Sequence, residues 1–380
     1  MIVYICMLSF TLVFQSVPPL LTLIREDFQA SHAQVGLLMS LFALPGIFLS
    51  LPGGAVSDRF GMKKTGLASL GLMVAGTVIF AASQIPLHAY VGRVISGVGG
   101  LTLAVVLPQM VSRWFMGKEL GLAMGLYNTA MPFGTVFSLN VFNVLGNSFG
   151  WRVPVVLTTA VGGIALLAFL LLFKEPSEDV ERTGSTLRED VARLGPSMWL
   201  VGLSWMWFNA ALISFITFSP DYFVDKGFAV GSAGFMSSIV MLGSLFLNPV
   251  VGYVVHRFGG ERLFIAAGGL GLSILFFLVP AFSLVIPLLV LVGVFASLVP
   301  PSVFSLPPKI VDARSFGLAY GIITTCLNVG ILAGPYLVGS ARDLTGDYAL
   351  GFHLMVAFAV MQTLTIGLFG LTMRRRGKKV

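Results

Sequence analysis

The sequence predicts an all-α polytopic membrane protein whose twelve transmembrane helices form two six-helix bundles, related as a parallel pseudo-repeat. Three observations predict this fold. The 380 residues are 56% hydrophobic and only 10% charged, whereas about a quarter of a typical soluble domain is charged. Apolar runs of about 20 residues, the length that crosses a bilayer core, recur twelve times. Motifs of the first half return in the second half at a nearly constant offset.

Hydropathy and turn signals place the twelve predicted spans. Their approximate limits are 2–24, 34–56, 65–83, 88–111, 121–146, 153–173, 197–219, 233–255, 263–282, 285–307, 317–340 and 350–372. The first span lacks the basic leading segment and the small-residue cleavage site of a signal peptide, so we expect it to be retained. Prolines predict breaks or bends in the spans. They are Pro18-Pro19, Pro45, Pro132, Pro249, Pro300-Pro301 and Pro335.

One long polar segment divides the chain. Lys174 to Gly195 holds ten charged residues and separates six spans from six. A solvated linker between two membrane-embedded halves has this composition. We therefore predict an N-terminal six-helix bundle over 1–173, a cytoplasmic linker over 174–195, and a C-terminal six-helix bundle with a basic tail over 196–380.

The basic residues predict the orientation of the chain. With the N-terminus inside, eighteen Lys and Arg residues fall on the inside, and four, Arg25, Arg152, Lys226 and Arg342, fall on the outside. Basic residues in short loops favour the cytoplasmic side. We therefore expect a multi-pass protein of the plasma or inner membrane with both termini in the cytoplasm. This distribution also accounts for the net charge of +7 without a nucleic-acid partner.

Three sets of matches define the internal repeat. The first match, at an offset of 198, joins Gly54-x-x-x-Asp58-Arg59-Phe60-Gly61 to Gly252-x-x-x-His256-Arg257-Phe258-Gly259. The second, at the same offset, joins Gly36 and Ser40 to Gly234 and Ser238. The third, at an offset of 196, joins Gly121-Leu122-Ala123-Met124-Gly125 and Gly134 to Gly317-Leu318-Ala319-Tyr320-Gly321 and Gly330. Span 2 thus corresponds to span 8, and span 5 to span 11. Because six spans separate the copies, both halves have the same orientation in the membrane.

Two stretches of the first half resemble signatures of the major facilitator superfamily. Gly54 to Lys64 ("GAVSDRFGMKK") resembles the loop after helix 2 of that family, roughly G-x-L-A-D-R-x-G-R-K, and Arg93 to Gly100 ("RVISGVGG") resembles the helix 4 signature R-x-x-Q-G-x-G. Ser57, Met62 and Ser96 depart from these patterns. The resemblance implies two bundles that rock about a central cavity. It also implies that helices 1, 4, 7 and 10 line the cavity, that 2, 5, 8 and 11 form the bundle interface, and that 3, 6, 9 and 12 face lipid.

The turn after span 2 is a predicted gate. A carboxylate at Asp58 can pair with Arg113 on the next inside loop and with the positive N-terminal end of a neighbouring helix, which the resemblance makes helix 11. The alternative is a turn that only sets topology, with a surface ion pair worth under about 1 kcal/mol. The predicted gating residues are Gly54, Asp58, Arg59, Gly61, Lys63, Arg113 and Arg257.

Arg93 is the one Lys or Arg that falls inside a predicted span. Because a charge in the bilayer is costly unless it is paired or hydrated, we expect Arg93 to face the cavity and to bind an anion or set the protonation of a coupling group. The alternative is an Arg that extends to the outer interface. Neutral polar residues could supply hydrogen bonds to the solute or could join helices. The predicted substrate-binding residues are Arg93, Gln15, Tyr127, Asn128, Asn209 and Asn328.

Carboxylates are absent from the middle of the predicted spans. Glu26, Asp27, Asp221, Asp225 and Asp343 all lie near span ends, whereas proton-coupled symporters and cation exporters usually need a buried acid. We therefore predict a secondary active transporter for a small organic or inorganic anion, resembling the cyanate, oxalate–formate and monocarboxylate branches. The alternative is a multidrug or metabolite efflux transporter of the same superfamily, which the Met- and Phe-rich spans favour.

We expect no enzymatic activity, cofactor or metal, because metalloprotease, hydrolase and nucleotide-binding motifs are absent from the sequence. Cys6 and Cys326 lie in apolar runs and predict no disulfide. The expected partners are a small-molecule solute, a counter-transported anion or a proton, and the lipid bilayer, with the monomer as the working unit. The direction of transport and the identity of the solute stay open.

Overall fold

The computed structural model describes residues 1–49, 61–114, 126–127, 129–174, 195–282, 285–311 and 316–375, whose regular structure is helical throughout. The spans keep their predicted numbers. In the first half, span 1 consists of a helix Ile2–Phe14, a 3-10 turn Pro18–Leu20 and a helix Leu21–Phe28. Span 2 is His32–Leu49, span 3 is Met62–Ala81, span 4 is Pro86–Trp114 and span 6 is Arg152–Leu172. Span 5 consists of a helix Ala130–Phe137, a π-helical turn Ser138–Phe142 and a helix Asn143–Phe149.

The second half repeats this order. Span 7 is Gly195–Asp225, span 8 is Val230–Phe258, span 9 is Glu261–Leu278, span 10 is Val285–Ser297 and Val299–Phe304 followed by a short helix Pro307–Ile310, span 11 is Phe316–Thr345, and span 12 is Ala349–Arg375. Eleven of the described helices are long and apolar enough to cross a membrane. Span 5 is the exception, because its helical segments are short. The predicted all-α membrane fold is confirmed.

Burial separates central spans from peripheral ones. In the most apolar window of each helix, 83% of residues are buried in span 1 and 78% in span 7, against 28% in span 6. Since the side chains of a lipid-facing helix have no protein neighbours on one side, span 6 lies at the periphery. This agrees with the expectation that helices 1 and 7 lie at the centre and that helix 6 faces lipid.

The two ends of the molecule differ in the span ends that they hold. The start of span 1, the end of span 4, the start of span 5 and the end of span 6 surround one apolar cavity, so successive spans alternate in direction. We call this end, which holds Met1, the terminal face, and the opposite end the distal face. The distal face holds the start of span 2 and the end of span 11, which touch through His32 and Asp343.

Prolines break fewer spans than the sequence predicts. The helices run on through Pro45, Pro249 and Pro335, whereas span 1 breaks at Pro18-Pro19 and span 10 breaks before Pro300-Pro301. A proline removes one backbone donor, and neighbouring helices can satisfy the carbonyl that it leaves free. Two adjacent prolines remove two successive donors, and the three such pairs, Pro18-Pro19, Pro300-Pro301 and Pro307-Pro308, all lie at or beside a helix break.

Candidate functional site at the interface between the bundles

The bundles meet through two related helix pairs, span 2 with span 11 and span 5 with span 8. In the first pair, Gly36 lies so close to span 11 that an added Cβ would stand 2.7 Å from the carbonyl oxygen of Pro335. In the second pair, a Cβ on Gly234 would overlap the carbonyl oxygen of Leu139. Gly36 and Gly234 are matched positions of the sequence repeat. The repeat therefore places glycine where the backbone of one bundle approaches the other.

The matched serines also face the opposite bundle. Ser40 Oγ of span 2 donates to the carbonyl of Ile331 of span 11 at 3.5 Å. On the other side, Asn140 Nδ2 of span 5 donates to Ser238 Oγ of span 8 at 3.0 Å. Asn140 lies in the π-helical turn, a local widening of the helix that is frequent at functional positions. Span 5 therefore meets the second bundle through its least regular segment.

A polar cluster joins the bundles at the distal face. Asp221 of span 7 is only 3% exposed, and its two carboxylate oxygens accept hydrogen bonds from Thr22 of span 1 and from Tyr348, which lies between spans 11 and 12. His32 Nε2 lies 3.6 Å from Asp221 Oδ2. We call Thr22, His32, Asp221, Asp343 and Tyr348 the distal cluster.

Asp343 of span 11 caps the first turn of span 2. Its Oδ1 accepts a hydrogen bond from the backbone N–H of His32 at 2.8 Å and lies 3.0 Å from His32 Nδ1. Its Oδ2 accepts from the N–H of Ala33 at 2.7 Å. A carboxylate at a helix N-terminus satisfies free N–H groups and favours the helix dipole. Since this cap comes from the other bundle, separating the bundles at the distal face removes it.

Gln15 joins span 1 to span 5 near the proline break. Its Nε2 donates to Thr135 Oγ1 at 3.1 Å, and its backbone carbonyl accepts from Ser138 Oγ at 2.6 Å. The Oε1 of Gln15 is buried and has no hydrogen-bond partner among the described residues. This amide retains an acceptor for a further group.

Span 7 presents a buried indole. Asn209 Nδ2 donates to the carbonyl of Trp205 within the same helix at 2.8 Å. Trp205 is 6% exposed, and its Nε1 has no acceptor in the part of the chain that the structure describes. Its ring lies 5.4 Å from Phe304 of span 10 and 5.1 Å from Phe208. A buried indole usually finds an acceptor for its N–H, so this unpaired donor among aromatic rings is a candidate contact for a solute.

Two other predicted solute-binding residues lie on span 11 and near the start of span 5. Asn328 of span 11 is fully buried, donates to Thr324 O at 2.8 Å, and packs against span 2 at Gly46. Tyr127 is buried near the terminal face, where its hydroxyl donates to Met7 Sδ at 3.2 Å. Asn128 lies outside the described residues.

Arg93 is enclosed within the first bundle. The residue is fully buried, and its guanidinium lies 4.6 Å from the ring centroid of Phe42 and 5.7 Å from that of Phe80. The expectation that Arg93 faces a solvated cavity is not met in this conformation. The packing of spans 2, 3 and 4 leaves no face of the guanidinium open.

The donors of Arg93 complete the broken helix of span 1. Because Pro18 has no N–H, the carbonyl of Phe14 lacks its helical donor. Arg93 Nη2 donates to Phe14 O at 3.2 Å, Nη1 donates to Val13 O at 2.8 Å, and Nε donates to Leu38 O of span 2 at 2.9 Å. The cation also lies at the C-terminal end of the helix Ile2–Phe14, where the helix dipole favours positive charge. Arg93 thus ties spans 1, 2 and 4 together at the proline break.

Most of the predicted inner gate lies outside the described residues. This applies to Gly54, Asp58 and Arg59, and to the side chain of Arg113. Gly61, which precedes span 3, has a φ of 85°, in the region that favours glycine. Lys63 lies partly exposed in the first turn of span 3. The role of these residues in gating stays a prediction.

The second copy of this motif has a different ion pair. Arg257 is exposed and donates to the hydroxyl of Tyr253 at 2.8 Å within span 8. Glu261, at the start of span 9, is 1% exposed and pairs with Lys309 Nζ at 2.5 Å. This pair ties span 9 to the short helix after span 10, inside one bundle.

Sequence reasoning missed the distal cluster. Asp221 and Asp343 were noted only as acids near span ends, and His32 was not singled out. Asp343 and His32 are 311 positions apart in the chain, so no local spacing relates them. The usable signal was weaker, namely that each of these polar residues falls beside a span end on the outer side of the predicted topology.

Comparisons with known proteins place the chain among transporters. A family model described as Major Facilitator Superfamily matches residues 3–335. The lysosomal dipeptide transporter MFSD1 of Danio rerio is 27% identical over 373 residues, which cover 91% of this chain and 80% of that protein. The hexuronate transporter of Bacillus subtilis (strain 168) is 25% identical over 379 residues, covering 90% and 87%.

Two further likenesses bear on solute and fold. A probable sulfoacetate transporter, SauU, of Cupriavidus necator is 26% identical over 362 residues, covering 87% of this chain and 84% of that protein. A crystal structure of the nucleoside transporter NupG superposes with a TM-score of 0.81 at 14% identity, covering 97% of this chain and 98% of that one. At this identity the likeness to NupG shows the fold alone.

Proposed function

The chain belongs to the major facilitator superfamily of secondary transporters, and we propose that it carries a small organic anion across the membrane by alternating access. The family model covers most of the chain, and the relatives are themselves transporters rather than enzymes. The proposed working unit is the monomer, because the interface between the two bundles lies within one chain.

The chemistry that the relatives' solutes share carries this proposal. Hexuronate has a carboxylate, sulfoacetate has a carboxylate and a sulfonate, and a dipeptide has a carboxylate beside its ammonium group. An acidic group is therefore common to all three solutes. Hexuronate and sulfoacetate are net anions and support an anionic solute, whereas a dipeptide is a zwitterion that shares only the carboxylate.

Neutral donors are the proposed ligands of the acidic group. The free Nε1 of Trp205 and the amide of Asn209 lie on span 7, one of the two most enclosed spans. The free Oε1 of Gln15 on span 1, the other enclosed span, is an acceptor, so it would bind a hydroxyl or ammonium hydrogen of the solute rather than its acidic group. Hydrogen bonds from neutral donors to an ionised acceptor are stronger than those to a neutral one. Arg93, whose donors are held by backbone carbonyls, contributes positive potential from inside the first bundle without contacting the solute in this conformation.

We expect saturable uptake of an anion into proteoliposomes and a specific loss when the indole N–H is removed. Radiolabelled glucuronate, sulfoacetate and alanyl-alanine are the solutes tested, with ethidium as the multidrug comparison. Trp205→Phe removes one hydrogen bond to a charged group, worth about 1.5–3 kcal/mol. The KM for the transported anion should therefore rise by about tenfold or more.

Trp199→Phe is the matched control. Trp199 lies on the same span and is 41% exposed, so its replacement should leave KM unchanged. Transport of ethidium or of the zwitterion alanyl-alanine, without transport of glucuronate or sulfoacetate, contradicts an anion as the solute. An unchanged KM in Trp205→Phe removes this residue from the site.

We propose that the terminal face lies in the cytoplasm, in the plasma or inner membrane. In the predicted topology, eighteen Lys and Arg residues fall on the side of the terminal face and four on the opposite side, and this excess supports the orientation. With the distal face closed by its cluster, the described conformation is then closed to the outside. Some relatives are lysosomal by name.

A C-terminal reporter checks the orientation. Green fluorescent protein fused after Val380 should fluoresce in a bacterial inner membrane, whereas alkaline phosphatase at the same place should stay inactive, because phosphatase folds only in the periplasm. Fusion at Gly227, between spans 7 and 8, is the internal control and should give the reverse pattern. Active phosphatase at the C-terminus would refute the proposed topology.

A further inference from the structure

We propose that the distal cluster is a proton-binding site that loads as the distal face closes, so that acid on that side favours the closed state. The proposal rests on the alternation between open and closed states in the proposed function. Besides the phenol of Tyr348, the cluster holds an imidazole and two carboxyl groups from two bundles. His32 comes from the first bundle, and Asp221 and Asp343 come from the second.

The hydrogen bonds of the cluster leave one proton to be supplied. His32 Nδ1 lies 3.0 Å from Asp343 Oδ1, a bond that requires the ring proton on Nδ1. In the neutral ring, Nε2 then presents a lone pair to Asp221 Oδ2 at 3.6 Å, and two acceptors face each other. One more proton, on Nε2 or on Asp221, turns this repulsion into an attraction. The closed arrangement therefore favours proton uptake.

The other hydrogen-bond donors to Asp221 do not supply the missing proton between His32 Nε2 and Asp221 Oδ2. Thr22 and Tyr348 each donate one hydrogen bond to the carboxylate. Burial and the negative charge of Asp221 raise the pKa of Tyr348 well above its ordinary value, so the phenol keeps its proton. The Asp221 carboxylate is thus a buried charge that lies beside the imidazole of His32.

Other charged groups near the cluster keep its balance negative. Glu26 of span 1 and Asp221 line the same crevice, and the volume of this crevice is about 130 Å³. Asp225 is paired with Arg342 at 2.9 Å, and the Arg342 guanidinium lies 5.0 Å from the ring centroid of Tyr348. Because that pair is neutral as a whole, its two charges cancel. Spans 5 and 8 line the crevice with neutral groups, namely Asn143, Asn147 and Val230.

Opening the distal face takes the cluster apart. Thr22, His32 and the N–H of Ala33 belong to one bundle, whereas Asp221, Asp343 and Tyr348 belong to the other. Water then solvates each carboxylate, and the imidazole loses both acidic neighbours. The proton is held more tightly in the closed state than in the open state. By linkage, the closed state gains stability as the pH falls and loses it as the pH rises.

The experiment measures the distal distance directly, without solute. Spin labels on Gln84→Cys and Ala281→Cys, two exposed positions at the distal tips of spans 3 and 9, report the distance between the bundles in nanodiscs. In the otherwise unaltered protein, lowering the pH from 8 to 5.5 should raise the ratio of closed to open molecules by about tenfold or more, the effect of one linked proton.

The variants assign this response to the cluster. In His32→Gln the ratio should change by less than about twofold over the same pH range. In Asp221→Asn the amide supplies a hydrogen to Nε2, so the closed state should persist at pH 8. His88→Gln is the matched control, since His88 is exposed at the distal start of span 4, and it should keep the full response.

A pH-independent distance in the unaltered protein overturns the proton site. The same conclusion follows if His88→Gln abolishes the response as fully as His32→Gln does. Saturable anion uptake alongside a pH-independent distance leaves the proposed transport function intact and refutes this inference alone. Monodisperse elution of each variant shows that the comparison concerns folded protein.

Discussion

Replacing Gly234 with alanine should drive the protein out of its distal-closed state. The new Cβ would overlap the carbonyl oxygen of Leu139 and stand 2.6 Å from Asn143 Nδ2, both on span 5. Overpacking of this kind typically costs about 1–3 kcal/mol. The cost falls on the closed state alone, because the clash is between bundles. The closed-to-open ratio should therefore fall by about fivefold to a hundredfold.

Labelling of a crevice residue measures this shift. Val224→Cys lines the distal crevice, and a membrane-impermeant maleimide should modify it faster when Gly234→Ala is added. Gly231→Ala is the control, since Gly231 lies on the same helix and has no neighbouring atom within 4 Å among the described residues. Gly36→Ala, the matched position of the repeat, should act in the same direction as Gly234→Ala. Equal labelling rates in Gly234→Ala and Gly231→Ala would contradict the role of this contact.

Arg93→Ala should be strongly destabilising rather than merely defective in solute binding. The change leaves the carbonyls of Val13, Phe14 and Leu38 without the donors that Arg93 supplies and opens a void between Phe42 and Phe80. A buried carbonyl left without its donor costs about 1–3 kcal/mol, and the void adds to this cost. We expect a clear fall in thermal stability in detergent, measured by the temperature at which half of the protein remains monodisperse.

Two further variants separate structure from charge. Arg93→Lys keeps the positive charge but cannot reach three carbonyls from one ammonium group, so it should lie between wild type and Arg93→Ala. Arg152→Ala removes a half-exposed Arg paired with Asp27 at 3.0 Å, a contact worth about 1 kcal/mol or less. If Arg93→Ala were as stable as Arg152→Ala while anion uptake was lost, Arg93 would be a solute ligand, as the sequence alone suggested.

The fold was largely predictable because its signals are local or periodic. Hydropathy marks each span within about 20 residues, and eleven helices meet the length and composition of a span. The repeat also predicted which helices correspond, and Gly36 and Gly234 proved to occupy equivalent contacts with the opposite bundle. The proline breaks were predicted less well, since whether a helix continues through Pro45 or Pro249 depends on neighbours that satisfy the free carbonyl.

The candidate site was predictable only in part. Gln15 and Asn209 were selected as polar residues of spans 1 and 7, and both are buried there. Trp205 could not be separated from Trp199 and Trp207 by sequence, because their difference lies in exposure and in the contact with Phe304. The distal cluster was missed because a residue near the end of a span faces either solvent or the other bundle, and hydropathy does not distinguish these cases.

The sequence by itself determined that this protein is a two-bundle membrane transporter of a known superfamily, since composition, span length, repeat and signature motifs are properties of the chain. It also showed a lone Arg93 and a Pro18-Pro19 break as separate features. Only the tertiary structure joined them, by placing the guanidinium on carbonyls about 80 residues away. It likewise brought His32 to Asp221 and Asp343. Such pairings depend on how helices pack across the bundle, and packing is decided by the whole set of neighbours rather than by any one segment.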